Sequence, residues 1–181
     1  ASVLAEVRTL LEPAARAFEG ILLGDDARAA ALMNLGIVEL WSRRPDEAER
    51  DLEHALELAR RAGRPYLEIG CLSHIALLPT RPLTRQRPVT AEAVAIAERH
   101  GWETEPIACM ALATMAAVDV AQGRISEGGE WLDRAERALR TEVEPATALF
   151  LFLVRGIQRL GEGQPDEAAG VFAAAERTQA S

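Results

Sequence analysis

Residues 29–61 read AAALMNLGIVELWSRRPDEAERDLEHALELARR, and this stretch decides the fold. Its first half is apolar with small residues interspersed, as in Leu32, Leu35, Gly36, Ile37 and Leu40. Ser42, Arg43, Arg44 and Pro45 break it. In the second half Ala48, Leu52, Ala55, Leu56 and Ala59 share one helical face, while Glu49, Arg50, Glu53 and Arg60 are polar. That is the 3.6-residue period of an amphipathic helix. The stretch predicts two antiparallel helices joined by a short turn: an A helix greasy nearly all round, then a B helix with one apolar stripe.

The pattern recurs. Pro45, Leu83, Ile125 and Pro165 align as turn residues, 38, 42 and 40 residues apart. One residue later stand Asp46, Thr84, Ser126 and Asp166, all residues favoured as helix N-caps, and Glu49 is placed to close a capping box with Asp46. Glu47, Glu127 and Glu167 set negative charge against the positive helix end. Ten residues past the turn stand Ala55, Ala93, Ala135 and Ala175; nine before it, Gly36, His74, Ala116 and Gly156; five before it, Leu40, Leu78, Val120 and Leu160. Small residues at fixed offsets let paired helices approach closely. The columns place A helices near 26–42, 65–78, 105–121 and 145–161, and B helices near 46–62, 85–100, 126–140 and 166–178. Gly63-Arg64-Pro65, His100-Gly101 and Glu144-Pro145 supply the breaks between repeats. Pro88 predicts a late start or an irregularity in the second B helix. Residues 1–20 read as two short helices broken near Pro13, a partial repeat.

The expected fold is all-α: an α-solenoid of antiparallel helix pairs with repeats of about 40 residues (26–62, 65–100, 105–140 and 145–178), forming one domain over 1–181. No segment alternates with period two, so no sheet is expected. Aromatic residues make up only 4% of the 181, and alanine carries much of the 49% that is hydrophobic, which favours helix-on-helix packing.

The formal charge of −8 opposes binding to nucleic acid or to an anionic membrane. All 20 basic residues are arginine, which excludes a Schiff-base lysine and a phosphate-loop lysine. Cys71 and Cys109 are far apart within apolar helices, without metal-ligand spacing, and read as reduced core thiols of a cytoplasmic protein. No transmembrane stretch is present; the longest uncharged run, 106–118, is shorter than the ~20 residues a span requires. The serines lack a G-x-S-x-G context, and Glu47, Glu49 and Asp51 lie on an exposed helix, so neither nucleophilic nor acid–base catalysis is expected.

Leu32, Leu35, Gly36, Ala48, Leu52 and Ala55 match the spacing of the tetratricopeptide repeat (TPR), which this unit resembles with longer helices and linkers. That longer form is similar to the right-handed superhelical sensor region of MalT-like regulators, the large ATP-binding LuxR-family transcriptional activators. The residues carrying the resemblance are Leu32-Met33-Asn34-Leu35-Gly36, Pro45-Asp46-Glu47-Ala48-Glu49-Arg50, Glu92 to Trp102, Trp131 to Leu139, and Glu144-Pro145-Ala146-Thr147. The resemblance implies signal sensing by a segment of a longer regulator. Its partners are a small-molecule inducer or a protein, and the ATPase module of the same molecule. ATP and DNA would be handled by flanking modules; no cofactor is expected in this segment. A homo-oligomer and a generic TPR protein-binding scaffold are the remaining readings.

Threading the columns places Met33, Ile37 and Trp41 on the inner face of the first A helix, with Ala30 and Leu40. Cys71 and Ile75 follow on the second, Met110 and Ala113 on the third, and Phe150, Leu153 and Ile157 on the fourth. The stripe reads as an apolar groove or as repeat-to-repeat core. Polar residues in greasy helices are the second set: Asn34, Glu39, Glu68, His74, Asp119, Arg155 and Arg159. Glu39, Asp119 and Arg159 share one column, which suggests pairing of Asp119 with Arg159 between neighbouring repeats. His74, in a column of small residues, suggests a gap or a polar contact. Three isolated histidines make no zinc site.

Overall fold

A computed structural model describes residues 24–140 and 145–179, so the expectations for residues 1–20 and for Glu144 lie outside the described residues. Every regular element among the described residues is an α-helix. They are α1 (Asp25–Trp41), α2 (Pro45–Arg61), α3 (Pro65–Ile75), α4 (Leu83–Arg99), α5 (Pro106–Ala121), α6 (Ile125–Ala138), α7 (Pro145–Gly161) and α8 (Pro165–Gln179). The chain divides into two compact units, Ala1–Arg85 and Gln86–Ser181. Sequence periodicity gives no cue to that division, because the repeat runs through it.

Five of these helices begin on proline. Proline suits the first helical position, where its fixed φ is already helical and its missing N–H is no loss. Four of the turns between helices are built alike. A residue with positive φ follows the helix: Arg43 (61°), Gly63 (61°), Gly123 (78°) or Gly163 (76°). The next N–H then reaches back into the last helical turn: Arg44 to the Glu39 carbonyl (3.0 Å), and Arg64 to Ala59, Arg124 to Asp119 and Gln164 to Arg159 (each 2.9 Å). These bonds satisfy carbonyls that a helix C-terminus leaves free.

The same turns correct the capping expectation. Asp46, Thr84, Ser126 and Asp166 are each the second residue of their helix. The N-cap positions of α2 and α6 are Arg44 and Arg124, and neither makes a side-chain cap bond. Proline or isoleucine occupies the first helical position and displaces the polar residue inward. Glu49 closes no capping box; it accepts from Arg81 Nε at 2.8 Å. The favourable charge at the helix start remains, since Asp46 and Glu47 lie in the first turn of α2.

Two helix bounds differ from expectation for local reasons. The α3 helix ends at Ile75 rather than 78, ahead of Pro79 and Pro82, which disfavour helical geometry in the residues before them. Conversely, α4 starts at Leu83 and carries Pro88 inside it. The surface position tolerates this: Thr84, Arg85 and Arg87 are exposed, so the carbonyl that Pro88 leaves unbonded lies near solvent.

In the first unit α1 packs on α2, α2 on α3, and α1 on α3. Ala48, Leu52, Ala55 and Ala59 of α2 are fully buried, as the amphipathic pattern predicts. Gly36 is what permits close approach: a Cβ there would stand 2.6 Å from Leu52 Cγ. In the second unit α5 packs on α6, α7 on α8, and α7 also on α5 and α6. Gly156 plays the equivalent part, since a Cβ on it would collide with the Phe172 ring. Leu112, Leu132, Ala135 and Leu151 are fully buried around these contacts. Burial of such apolar surface, at about 25 cal/mol per Å2, is the main stabilising term.

Candidate functional site: the apolar faces of the A helices

The structure divides the predicted stripe into three kinds of position. Cys71, Ile75 and Ala113 belong to the core, at 0%, 2% and 0% exposure, and line no open groove. Ala113 lies on α5, against which both α6 and α7 pack. Cys71 is inert besides buried: burial, with the Glu68 charge nearby, pushes its thiol up to about 12, so no thiolate is available at neutral pH. Met33, Ile37, Met110 and Phe150 are half-buried. Met33 lies across α3, its sulfur 2.6 Å from the place a Cβ on Gly70 would take. Trp41, Leu153 and Ile157 are open, at 46%, 50% and 46% exposure.

Leu160, which the columns mark as apolar without assigning it to the stripe, is 51% exposed and belongs with Leu153 and Ile157. The signal for it was present: Ala146, Phe150, Leu153, Ile157 and Leu160 are spaced 4, 3, 4 and 3 residues apart, a heptad seam on a single helix. Tyr66, at the start of α3 and 53% exposed, was missed as well. It is an isolated aromatic with no periodic signal.

Each of the seven polar candidates has a partner within the protein. Asn34 is exposed and donates to its own helix at the Ala30 carbonyl, 2.8 Å away. Glu68 lies 3.8 Å from Arg60. The His74 ring bonds through Nδ1 to the Gly70 carbonyl at 2.8 Å. Burial pushes its pKa down against the opposing effect of that bond, so the ring is neutral and Nδ1 carries the donated proton. His74 thus fills its column as a satisfied core residue. Arg155, 9% exposed at its side chain, clamps α7 to α6 through Asp133 (2.6 Å) and Glu136 (2.9 Å).

The pairing of Asp119 with Arg159 is not made. Each member of that column instead bonds to the residue five positions later, in its own turn. Glu39 meets Arg44 Nε at 3.1 Å. Asp119 accepts from Arg124 Nε at 3.0 Å, and Arg159 Nη1 donates to Gln164 Oε1 at 3.1 Å. The turn brings these residues together locally, so a partner one repeat away is not needed. Asp119 gathers more: Arg87 Nε reaches it at 2.9 Å from α4, and Trp131 Nε1 at 3.1 Å from α6. Its carboxylate is fully buried, and these charge-assisted bonds tie three helices of the second unit together.

Among the described residues no cluster of histidine, cysteine or carboxylate is arranged to hold a metal ion. The crevice between Val94, Ala97, Glu98, Ala108, Leu112 and Arg134 has about 160 Å3 of empty space, below the roughly 300–1,000 Å3 of small-molecule pockets. No helix among the described residues is long and apolar enough to cross a membrane. What the site offers is therefore apolar surface on helices.

No family model matches the chain, and no curated protein matches it in sequence. Solved structures do match in shape. BtubC (BKLC) from P. vanneervenii superposes with a TM-score of 0.69 at 16% identity, over 98% of this chain and 73% of that one. A Podosopora anserina putative kinesin light chain with nearly identical TPR-like repeats gives a TM-score of 0.63 at 19% identity, over 98% and 87%. The helix order, the turns and these likenesses together establish the fold as a TPR-like helical repeat of the α-solenoid class.

Proposed function

We propose that the chain is a non-catalytic binding segment, a TPR-like scaffold whose A helices receive a protein segment on their apolar faces. The observation that carries the reading is the exposure of Trp41, Leu153 and Ile157 on helices of that fold. On α7 the exposed Leu153, Ile157 and Leu160 share one helical face, and a contiguous apolar patch marks interaction surface more often than single exposed residues do. That each of the seven polar candidates has a partner within the protein supports it too. The test is affinity capture from the native cell with the wild-type chain, followed by reconstitution of the captured protein from pure components. Binding at fixed stoichiometry is expected, with at least tenfold loss in Trp41→Ala or in Ile37→Glu. Reconstituted binding that neither substitution weakens refutes the site.

The finer reading is a cytoplasmic sensor segment of a MalT-like, LuxR-family regulator. The residue runs quoted above support it. There the A-helix faces take an inducer or protein, and the effect passes to the ATPase module of the same regulator. A ligand shifts such a module only by its differential affinity for two states. The gene around this chain tests the reading: a phosphate-loop motif on one side and a DNA-reading helix-turn-helix on the other are expected, and neither being there removes the regulator.

A further inference from the structure

The two parts of α4 are held differently. Thr90, Ala93, Val94, Ile96 and Ala97 are buried, none more than 5% exposed. From Thr84 to Val89 no residue is buried. The backbone of this first part is also weakened. Pro88 brings no N–H, so the Thr84 carbonyl lacks the donor four residues on. Proline further disfavours the helical conformation at Arg87, which precedes it. And α4 is the one described helix whose first turn carries an arginine, Arg85, without an acidic residue, so its charge opposes the positive helix end. A segment with few buried contacts and missing backbone bonds opens locally at low cost.

Among the described residues the charged tie of this segment is Arg87, whose Nε donates to Asp119 Oδ1 on α5 at 2.9 Å. Two features make the tie releasable. The Arg87 side chain is 45% exposed, so its guanidinium can exchange the carboxylate for water. Asp119 is fully buried, but without Arg87 it keeps Arg124 Nε at 3.0 Å and Trp131 Nε1 at 3.1 Å, so no buried charge is stranded. A neutral bond from Thr90 Oγ1 to the Gln86 carbonyl, 3.0 Å long, marks where the anchored part begins. We propose that residues 83–89 are a strap latched by Arg87. The first turns of α4 open and close as a unit, while α4 beyond them and the Asp119–Arg124–Trp131 cluster stay in place. Because the latch is an ion pair with a half-exposed member, salt weakens it, and the order of the strap follows the ionic surroundings.

Amide hydrogen exchange of the full chain, read by NMR, tests the device. The informative amides are those of Val89, Thr90 and Ala91, whose helical acceptors four residues back lie in the strap. They are expected to exchange about a hundredfold faster than those of Val94 to Ala97. Arg87→Gln is expected to speed them about tenfold further and leave Val94 to Ala97 unchanged. Sodium chloride at about 1 M should speed them in the wild type and not in Arg87→Gln, a response that a merely packed arginine does not produce. Pro88→Ala, which restores the missing N–H, should slow them about tenfold. Exchange of Val89 to Ala91 at the rate of Val94 to Ala97 overturns the strap. Exchange that Arg87→Gln leaves unaltered, or a salt response that survives in that variant, overturns the latch. Faster exchange throughout α4 in Arg87→Gln overturns it too, because the arginine then holds the whole helix.

Discussion

The helices α3 and α7 occupy the same place in the repeat and meet opposite fates. Cys71 and Ile75 of α3, and Leu78 just past its end, are 0%, 2% and 0% exposed, whereas their column-mates Leu153, Ile157 and Leu160 are 50%, 46% and 51% exposed. The two triplets are chemically alike. A repeat register fixes the direction in which a side chain points; it does not fix whether anything lies there. The α3 seam is buried, and the α7 seam is exposed among the described residues.

The largest test of the contrast is a matched pair of substitutions. Ile75→Glu places an unpaired carboxylate in the core and leaves the isoleucine volume badly filled. Its cost is expected to exceed about 4 kcal/mol, enough to unfold most of the first unit. Ile157→Glu exchanges one half-exposed side chain for a good helix former and is expected to change stability by less than about 0.5 kcal/mol. Urea unfolding at low protein concentration measures both. Similar costs for the two would erase the distinction between core and surface seams.

A smaller effect sharpens the contrast from the buried side, where α3 holds a titratable histidine. Burial lowers the pKa of His74 from its ordinary 6.5. The unfolded chain therefore binds a proton at this site more readily than the folded one, and stability falls as the pH drops below about 6.5. The slope from this residue is at most about 1.4 kcal/mol per pH unit. The contribution is complete above 6.5, and it stops changing once the pH is below the folded value. Unfolding midpoints between pH 7.5 and 5 should show the fall, and His74→Gln should flatten it. A slope unchanged in the variant would assign the effect to other groups.

Much of this was legible in the sequence, and the failures have a common cause. Prolines and glycines punctuate the chain chemically, so most helix ends were readable from Pro45, Gly63, Pro65, Gly123 and Pro165. Amphipathic α2 declared its buried face for the same reason: one stripe of Ala48, Leu52, Ala55 and Ala59 admits one orientation. The column that suggested Asp119 with Arg159 equated repeats and overlooked the turn, which brings Arg124 and Gln164 closer. The groove failed at Cys71, Ile75 and Ala113 because coverage depends on neighbouring helices, which a column does not describe. The place of Leu160 beside Leu153 and Ile157 is carried by the heptad spacing within α7, which a repeat column does not contain.

The turns that close α1 and α7 repeat the lesson on a smaller scale, and they offer the finest test. Arg43 and Gly163 stand at equivalent positions with φ of 61° and 76°. For an L-residue with a side chain that left-handed geometry costs on the order of 1–2 kcal/mol, and glycine escapes it. Arg43→Gly is therefore expected to relieve the strain, while the freer unfolded chain takes back about 0.4–1 kcal/mol. The net gain should be about 0.5 kcal/mol, read as a small rise in the midpoint of thermal unfolding. The reciprocal change, Gly163→Ala, has open space for its methyl, since nothing lies within 4 Å of that Cβ. Any loss it causes is backbone strain alone, expected at about 1 kcal/mol. Opposite signs for the two substitutions would show that one turn geometry serves both units and that only the residue filling it differs. A loss in Arg43→Gly would mean that the arginine side chain holds its turn more strongly than the backbone resists it.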